Sequence, residues 1–370
     1  MSAATTPKVA IVTPALVSNT SRNMGLHQKI IGGMFGLEPE TSPRSNAGCA
    51  PPPCLAFPHA MFATARCALH CLLEHARPRQ VWFPSYLCAS MLQSVRPGTA
   101  RIRFFPVDES LLVSGDTWLK EVLAGDVVVF IDYFGFAGWS GILGQAQSRG
   151  AIVVEDAAQA FLAGGFSATA EYLIFSPRKF VGVPDGGILV ARVKESLPST
   201  SLRPAPSDWW QDALHASELR RKFDQHGGER AWFELFQKTE AGAPVGNHAM
   251  SDVSRGILLN EIDYAAVSER RRANYRFLAG ILGRFALFPE LPQAVVPLGF
   301  PVRVPNRDGI RQKLFAAEIY PPVHWPIQGV VPDHFAASHR LAREIMTLPC
   351  DQRYEAPDME RMADCFLKAL

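Results

Sequence analysis

The run Asp126–Asp132 reads Asp-Val-Val-Val-Phe-Ile-Asp, apolar at every position between two acids. A strand with no polar face must be covered on both sides, which narrows the fold to layers packed around a sheet. Ala151–Glu155, Tyr172–Phe175 and Gly187–Ala191 are three further strands, with a helix predicted over Gly141–Arg149. Upstream, Phe62–Leu73 has apolar residues at helical spacing with Thr64 as its N-cap. Gln80–Phe83 is a short strand ending at Pro84, Ser90–Val95 is helical, and Arg101–Phe105 is a strand. Strands alternating with helices predict a parallel or mixed sheet in an α/β domain.

The rest of the chain is less regular. Trp209–Thr239 is polar, charged and aromatic, and is predicted mostly helical. Val253–Gly283 reads as one long helix or two with a break, with Leu258, Leu259, Ile262, Val267, Tyr275, Leu278 and Ile281 at three- and four-residue spacing. Val295–Leu370 mixes short strands with a final helix, Ala356–Leu370. The first fifty or so residues look loosely organised, with a strand at Lys8–Val17, a Gly-rich stretch at Ile30–Gly36 and a loop or ordered arm over Ser42–Pro53. The expected division is an N-terminal arm over 1–56, a large domain over 57–280 and a small α+β domain over 281–370. A chain of 370 residues, 48% hydrophobic, can bury cores of that size.

A net charge of +2 gives no field that would favour nucleic acid. The cluster Arg270-Arg271-Arg272 lies in a helical pattern and reads as a solvated or interface face. Seven cysteines at irregular spacing fit a reducing cytosol better than a disulfide framework, and no pair has metal-site spacing. No apolar run reaches a membrane-spanning length. Val9–Val17 is short, broken by Pro14 and poorly charged on its N-terminal side, so neither membrane nor secretion is expected.

Chemistry concentrates around Lys179. One strand ends in Glu155-Asp156 before Ala157-Ala158-Gln159-Ala160. The next, Tyr172–Phe175, leads through Ser176-Pro177-Arg178 to Lys179, followed by Asp185-Gly186-Gly187 and another strand. An amine that forms a Schiff base and an anion for a ring nitrogen are what pyridoxal phosphate needs. Asp156, at the C-terminal end of a strand, points to the crevice where ligands of α/β sheets bind. It serves equally well as a cap for the segment after it. Ser176 and Lys179 also fit the S-x-x-K spacing of penicillin-recognising enzymes, but the chain has neither Ser-Asp-Asn nor Lys-Thr-Gly. For the phosphate, Thr64-Ala65-Arg66 opens a helix with amides, a hydroxyl and a guanidinium. Arg66 in that first turn, where the dipole disfavours a cation, points to an anion site.

These segments together resemble the DegT-type sugar aminotransferases, a group of fold-type I pyridoxal-phosphate enzymes. Thr64-Ala-Arg-Cys-Ala-Leu69 resembles the group's phosphate helix, Pro84-Ser85-Tyr86 its Pro-Ser loop, and Glu155-Asp-Ala-Ala-Gln159 its Glu-Asp-Ala-Ala-Gln motif. Lys179 with Asp185-Gly-Gly187 resembles the lysine followed by Glu-Gly-Gly. Gly246-Asn247-His-Ala-Met-Ser-Asp252 resembles a segment that reaches into the partner subunit's site. His324-Trp325 resembles a late His-Tyr, and Leu348-Pro349 the Leu-Pro before the final helix. The resemblance covers roughly residues 57–370.

It implies a three-layer fold-type I large domain with a mainly parallel sheet. The implied homodimer has shared active sites, in the cytoplasm. By resemblance Asp156 meets the pyridine nitrogen, Gln159 packs near the ring and Lys179 anchors the cofactor. Thr64, Ala65, Arg66, Tyr86, Cys88, Ser176 and Asn247 complete the cofactor set, and Tyr133, Arg178 and His324 are candidates for contact with substrate. Three positions depart from the group. Ile174 replaces a phosphate-binding serine, with Ser176 as substitute. Cys88 stands where an aromatic stacks on the cofactor, leaving Tyr86 or a residue of Asp132-Tyr133-Phe134 for that task. Ala249 replaces a partner-subunit arginine, with Arg178 or Arg255 as substitutes.

The implied activity is transfer of an amino group from an amino acid, glutamate or glutamine, to a keto group of a sugar or natural-product intermediate. Decarboxylation or elimination on an amino acid, or a non-catalytic protein of the same fold, are the alternatives. His70, His75 and His334 read as surface or satisfied histidines, and Arg353-Tyr354 as a structural salt bridge.

Overall fold

The structure, a computed structural model, describes residues 29–39, 51–139 and 141–370. The strand expected over Lys8–Val17 and most of the Ser42–Pro53 loop lie outside the described residues. The strands are β1 (Ile31–Gly32), β2 (His59–Phe62), β3 (Gln80–Pro84), β4 (Arg101–Phe105), β5 (Val127–Ile131), β6 (Ile152–Asp156), β7 (Tyr172–Phe175), β8 (Gly187–Ala191), β9 (Phe300–Arg303), β10 (Ile319–Tyr320) and β11 (Ile345–Leu348). The α-helices are α1 (Ala65–Ala76), α2 (Ile142–Ser148), α3 (Ser207–His226), α4 (Ala231–Ala241), α5 (Asp252–Asn260), α6 (Tyr264–Leu282), α7 (Arg307–Ala316), α8 (Ala336–Glu344) and α9 (Ala356–Ala369).

Seven of these strands form one sheet in the order β2-β8-β7-β6-β5-β3-β4. All are parallel except β8, which runs antiparallel to both of its neighbours. Alternation along β7 and β8 explains the layers. Tyr172, Ile174, Leu189 and Ala191 join the main core on one face, while Leu173, Phe175, Ile188 and Val190 join a second core on the other. The second core is closed by Phe161, Phe180, Ile257 and Leu258. Both faces are therefore covered, as the uninterrupted apolar run predicted, and β5 is buried at all five positions.

C-terminal to α6, β9 and β11 pair antiparallel, with α7, α8 and α9 around them. The helix predicted from Phe62 starts later, because His59–Phe62 is an edge strand on β8. Its residues His-Ala-Met-Phe include no β-branched side chain, so no local signal marked a strand. Thr64 caps α1 as expected, its hydroxyl accepting the Cys67 amide at 3.1 Å. Ser90–Val95 is a 3-10 turn, Ala89–Ser94. Val253–Gly283 is two helices, broken where Asp263 caps α6 through the Ala266 amide.

The arginine cluster needs correcting. Arg270 is on the surface, but Arg271 is fully buried and donates to the carbonyls of Phe180, Pro297 and Leu298 and to Gln352 Oε1. Residues 29–39 are also more firmly tied than their composition suggested. β1 pairs with β10, Glu38 exchanges hydrogen bonds with Gly182, and Arg353 donates to the carbonyls of Gly33 and Met34. Arg353 is ion-paired with Asp351 at 2.8 Å, the structural role expected of it. Among the described residues no helix is long and apolar enough to cross a membrane.

Candidate active site

The sheet brings its acids and the lysine to one edge. β6 ends at Asp156, whose Cα is paired with Ile131 of β5 and Ile174 of β7. Beyond β7 the chain makes a short 3-10 turn, Pro177–Lys179, which lifts Lys179 over the C-terminal ends of the parallel strands. The Lys179 charge is felt by Asp156, His324 and Glu240. Among the described residues its amine has no hydrogen-bond or ion-pair partner.

Asp156 is nearly closed to solvent. Burial pushes its carboxyl up, while the Lys179 charge and the Ala158 amide, donating to Oδ1 at 2.9 Å, hold it down. Asp156 therefore caps the segment after β6 and also lies in the field of Lys179. Behind it stand Asp132 and Glu155, both closed to solvent. Burial and the neighbouring acids push Asp132 well up, and burial raises Glu155 to about 7. His324 accepts or donates to Thr347 Oγ1 at 2.8 Å. Burial and Lys179 push its imidazole down to about 3, so the ring is neutral in ordinary solution.

An aromatic wall flanks these groups. Tyr86, Tyr133 and Trp325 lie with ring centroids 5.6 to 6.3 Å apart, and His324 meets Phe134 and Trp325 edge-on, each at 5.6 Å. The Tyr133 hydroxyl donates to the Tyr86 carbonyl. Gln159 accepts the Phe134 amide at 2.7 Å.

The first turn of α1 lies beside the Lys179 turn because β8 passes very close to it. A Cβ on Gly187 would overlap the Thr64 carbonyl and the Ala65 amide, so only glycine lets the strand approach. Thr64 Oγ1, besides capping α1, donates to the Pro244 carbonyl at 3.4 Å, which leaves the hydroxyl occupied. Asp185 accepts the Ser251 amide and the hydroxyls of Ser251 and Ser254, which fixes α5 to the Gly-Gly turn. Arg66 reaches Gln93 at 2.8 Å and the Glu240 carbonyl at 3.5 Å, and Arg178 is ion-paired with Glu240 at 2.6 Å.

Of the other expected residues, Ser176 is buried at the start of the Lys179 turn. Asn247 lies on the stretch that runs beside β2. Cys88 is half-buried, its thiol against Ser90 at 3.0 Å. Arg255 pairs with Asp252 on the surface and is not brought to the site. Sequence reasoning missed Glu240. Its signal was an acid in the last turn of a helix, where the dipole disfavours an anion, the counterpart of the signal at Arg66.

The residues present fit pyridoxal phosphate. Among the residues expected at the site, the Tyr86 hydroxyl, Gln159 Nε2, Asn247 Oδ1 and Arg178 Nε are buried without a partner. Groups of this kind are ordinarily completed by a ligand or water.

No protein-family model matches the chain, and no curated protein matches it either. Solved structures do. The aminotransferase DesV of S. venezuelae is 19% identical, with 84% of each chain covered and a TM-score of 0.61. A sugar aminotransferase from Micromonospora echinospora is 16% identical over 93% of this chain and 99% of that one, with a TM-score of 0.62. A Streptococcus pneumoniae protein described as a sugar aminotransferase, solved in a PLP-form, is 16% identical over 85% and 88%, with a TM-score of 0.61. At these identities the likeness shows the fold, which is that of the fold-type I aminotransferases.

Proposed function

We propose that this chain is a pyridoxal 5'-phosphate-dependent aminotransferase of the DegT type, with Lys179 as the covalent anchor. The observation that carries the reading is the unpartnered Lys179 amine within the fields of Asp156 and His324, in the fold of the aminotransferases. Bound to the site, the cofactor supplies an electrophilic carbon and a ring that withdraws electrons from the substrate. The Asp156 carboxylate would accept the ring N–H of the bound cofactor, and its buried position would make that charge pairing strong. Gln159 is fixed by its bond from the Phe134 amide, which leaves its buried Nε2 free to meet the cofactor. With the cofactor bound, the Lys179 amine would take the proton from the substrate's α-carbon and return it as general acid and base.

Neutral His324 contributes a hydrogen bond without adding a second cation beside Lys179. Tyr86, Tyr133 and Trp325 exclude water from one side of the site. Two of the similar structures are of sugar aminotransferases, which supports a keto sugar or related intermediate as acceptor, and the donor we propose is glutamate or glutamine. A homodimer with Asn247 reaching a shared site, and a cytoplasmic location consistent with six free thiols among the described residues, complete the proposal.

Absorbance tests it. The wild type with added cofactor gains a visible band that glutamate or glutamine bleaches, and Lys179→Ala lacks the band. Asp156→Asn keeps the band and loses about 10²–10⁴-fold in turnover. A wild type that stays colourless with excess cofactor overturns the reading. A band unmoved by either donor but shifted by another amino acid transfers the argument to decarboxylation or elimination.

A further inference from the structure

Arg66, Arg178 and Lys179 converge where the first turn of α1 meets the Lys179 turn, and the Glu240 carboxylate stands among them. Arg178 Nη1 donates to Glu240 Oε1 at 2.6 Å, and Arg66 Nη2 to the Glu240 carbonyl at 3.5 Å. Burial works against the Glu240 charge, yet Arg178, Arg66 and Lys179 hold the carboxyl below its ordinary value. The match is incomplete on three counts. Glu240 is shared between Arg66 and Arg178, with Lys179, which Asp156 also faces, close by. Glu240 sits in the last turn of α4, where the dipole disfavours an anion, and Arg66 in the first turn of α1, where it disfavours a cation. Arg178 Nε is buried and unpartnered.

A phosphate monoester answers each point. It brings about two negative charges and three acceptor oxygens, suits guanidinium geometry and complements helix N-terminal amides. The usual neutral donors are lacking here, because the Thr64 hydroxyl is occupied and Ile174 has none.

We propose that Glu240 is a built-in competitor for phosphate: its carboxylate holds the Arg66–Arg178 subsite, and the phosphoryl group of the cofactor enters by displacing it. The inference rests on the cofactor reading above and states how the phosphate is gripped in this chain. The Glu240 side chain is 34% exposed and belongs to the α3–α4 pair, so rotation about its own bonds carries it to solvent while α4 stays in place.

The test compares pyridoxal 5'-phosphate with pyridoxal, which lacks the phosphate, on full-length wild type and Glu240→Gln. Binding is followed by quenching of tryptophan fluorescence. The phosphorylated ligand binds Glu240→Gln about two- to fivefold more tightly than wild type, the size of one partly exposed ion pair, while pyridoxal binds both equally. Glu240→Asp, which keeps the charge but shortens the reach, moves the same way by a smaller factor and serves if the glutamine variant does not fold. Inorganic phosphate raises the melting temperature of Glu240→Gln more than that of wild type. Unchanged phosphate selectivity overturns the proposal, as does equal weakening of both ligands. If neither pyridoxal compound binds any form, the cofactor reading fails, and the inorganic-phosphate comparison still decides the role of Glu240.

Discussion

Asp132, Glu155 and Asp156 place three carboxyls at the ends of adjacent strands, all nearly closed to solvent. They cannot all ionise cheaply. Asp156 has Lys179 to favour its charge, so the proton burden falls on Asp132 and Glu155. A carboxyl raised on folding binds its proton more tightly in the folded state. Its contribution to stability is therefore complete below the unfolded value and is lost as pH rises through the folded one. For Glu155 that window runs from 4.5 to about 7. Urea denaturation of the wild type is expected to show a loss of about 2–3 kcal/mol across it. Glu155→Gln, which keeps an acceptor for the Ser167 amide, flattens the loss. An equally steep profile in that variant would assign the titration elsewhere.

The elements were legible where a local pattern dictated them. β5, β6, β7 and β8 were readable because each is almost continuously apolar, and α1 because Thr64 caps it. β2 was not, since it exists only through its pairing with β8. Asp156 and Lys179 were readable as a pair because a strand end and a following turn fix both. Glu240 was not, because its meaning comes from cations 62 and 174 residues away. Gly187 shows the same dependence, a glycine whose necessity appears only when α1 lies against β8. Gly187→Ala is expected to cost about 1–3 kcal/mol by forcing strand and helix apart. It should also weaken cofactor binding, because the first turn of α1 moves with it. Calorimetry and a binding titration on one preparation check both. Unchanged binding in a destabilised variant would separate that turn from the site.

Across the molecule, Arg271 ties the sheet domain to the C-terminal part. From α6 it holds the Phe180 carbonyl, next to Lys179, together with Pro297, Leu298 and Gln352. Burial lowers its guanidinium to about 10, so it stays charged at neutral pH. Arg271→Met leaves several buried acceptors without a donor and is expected to cost about 3–5 kcal/mol. A drop in melting temperature together with weaker cofactor binding is the expected pair of results. Loss of stability alone would mean that Phe180 holds its place unaided.

Lys29 and Arg353 meet across 324 residues, beside the pairing of β1 with β10. A ribosome making this chain produces β1 long before its partner β10. Glu38 can meet Gly182 midway through synthesis, but the pairing of β1 with β10 closes a very long loop. That pairing can therefore form only after most of the chain has been made.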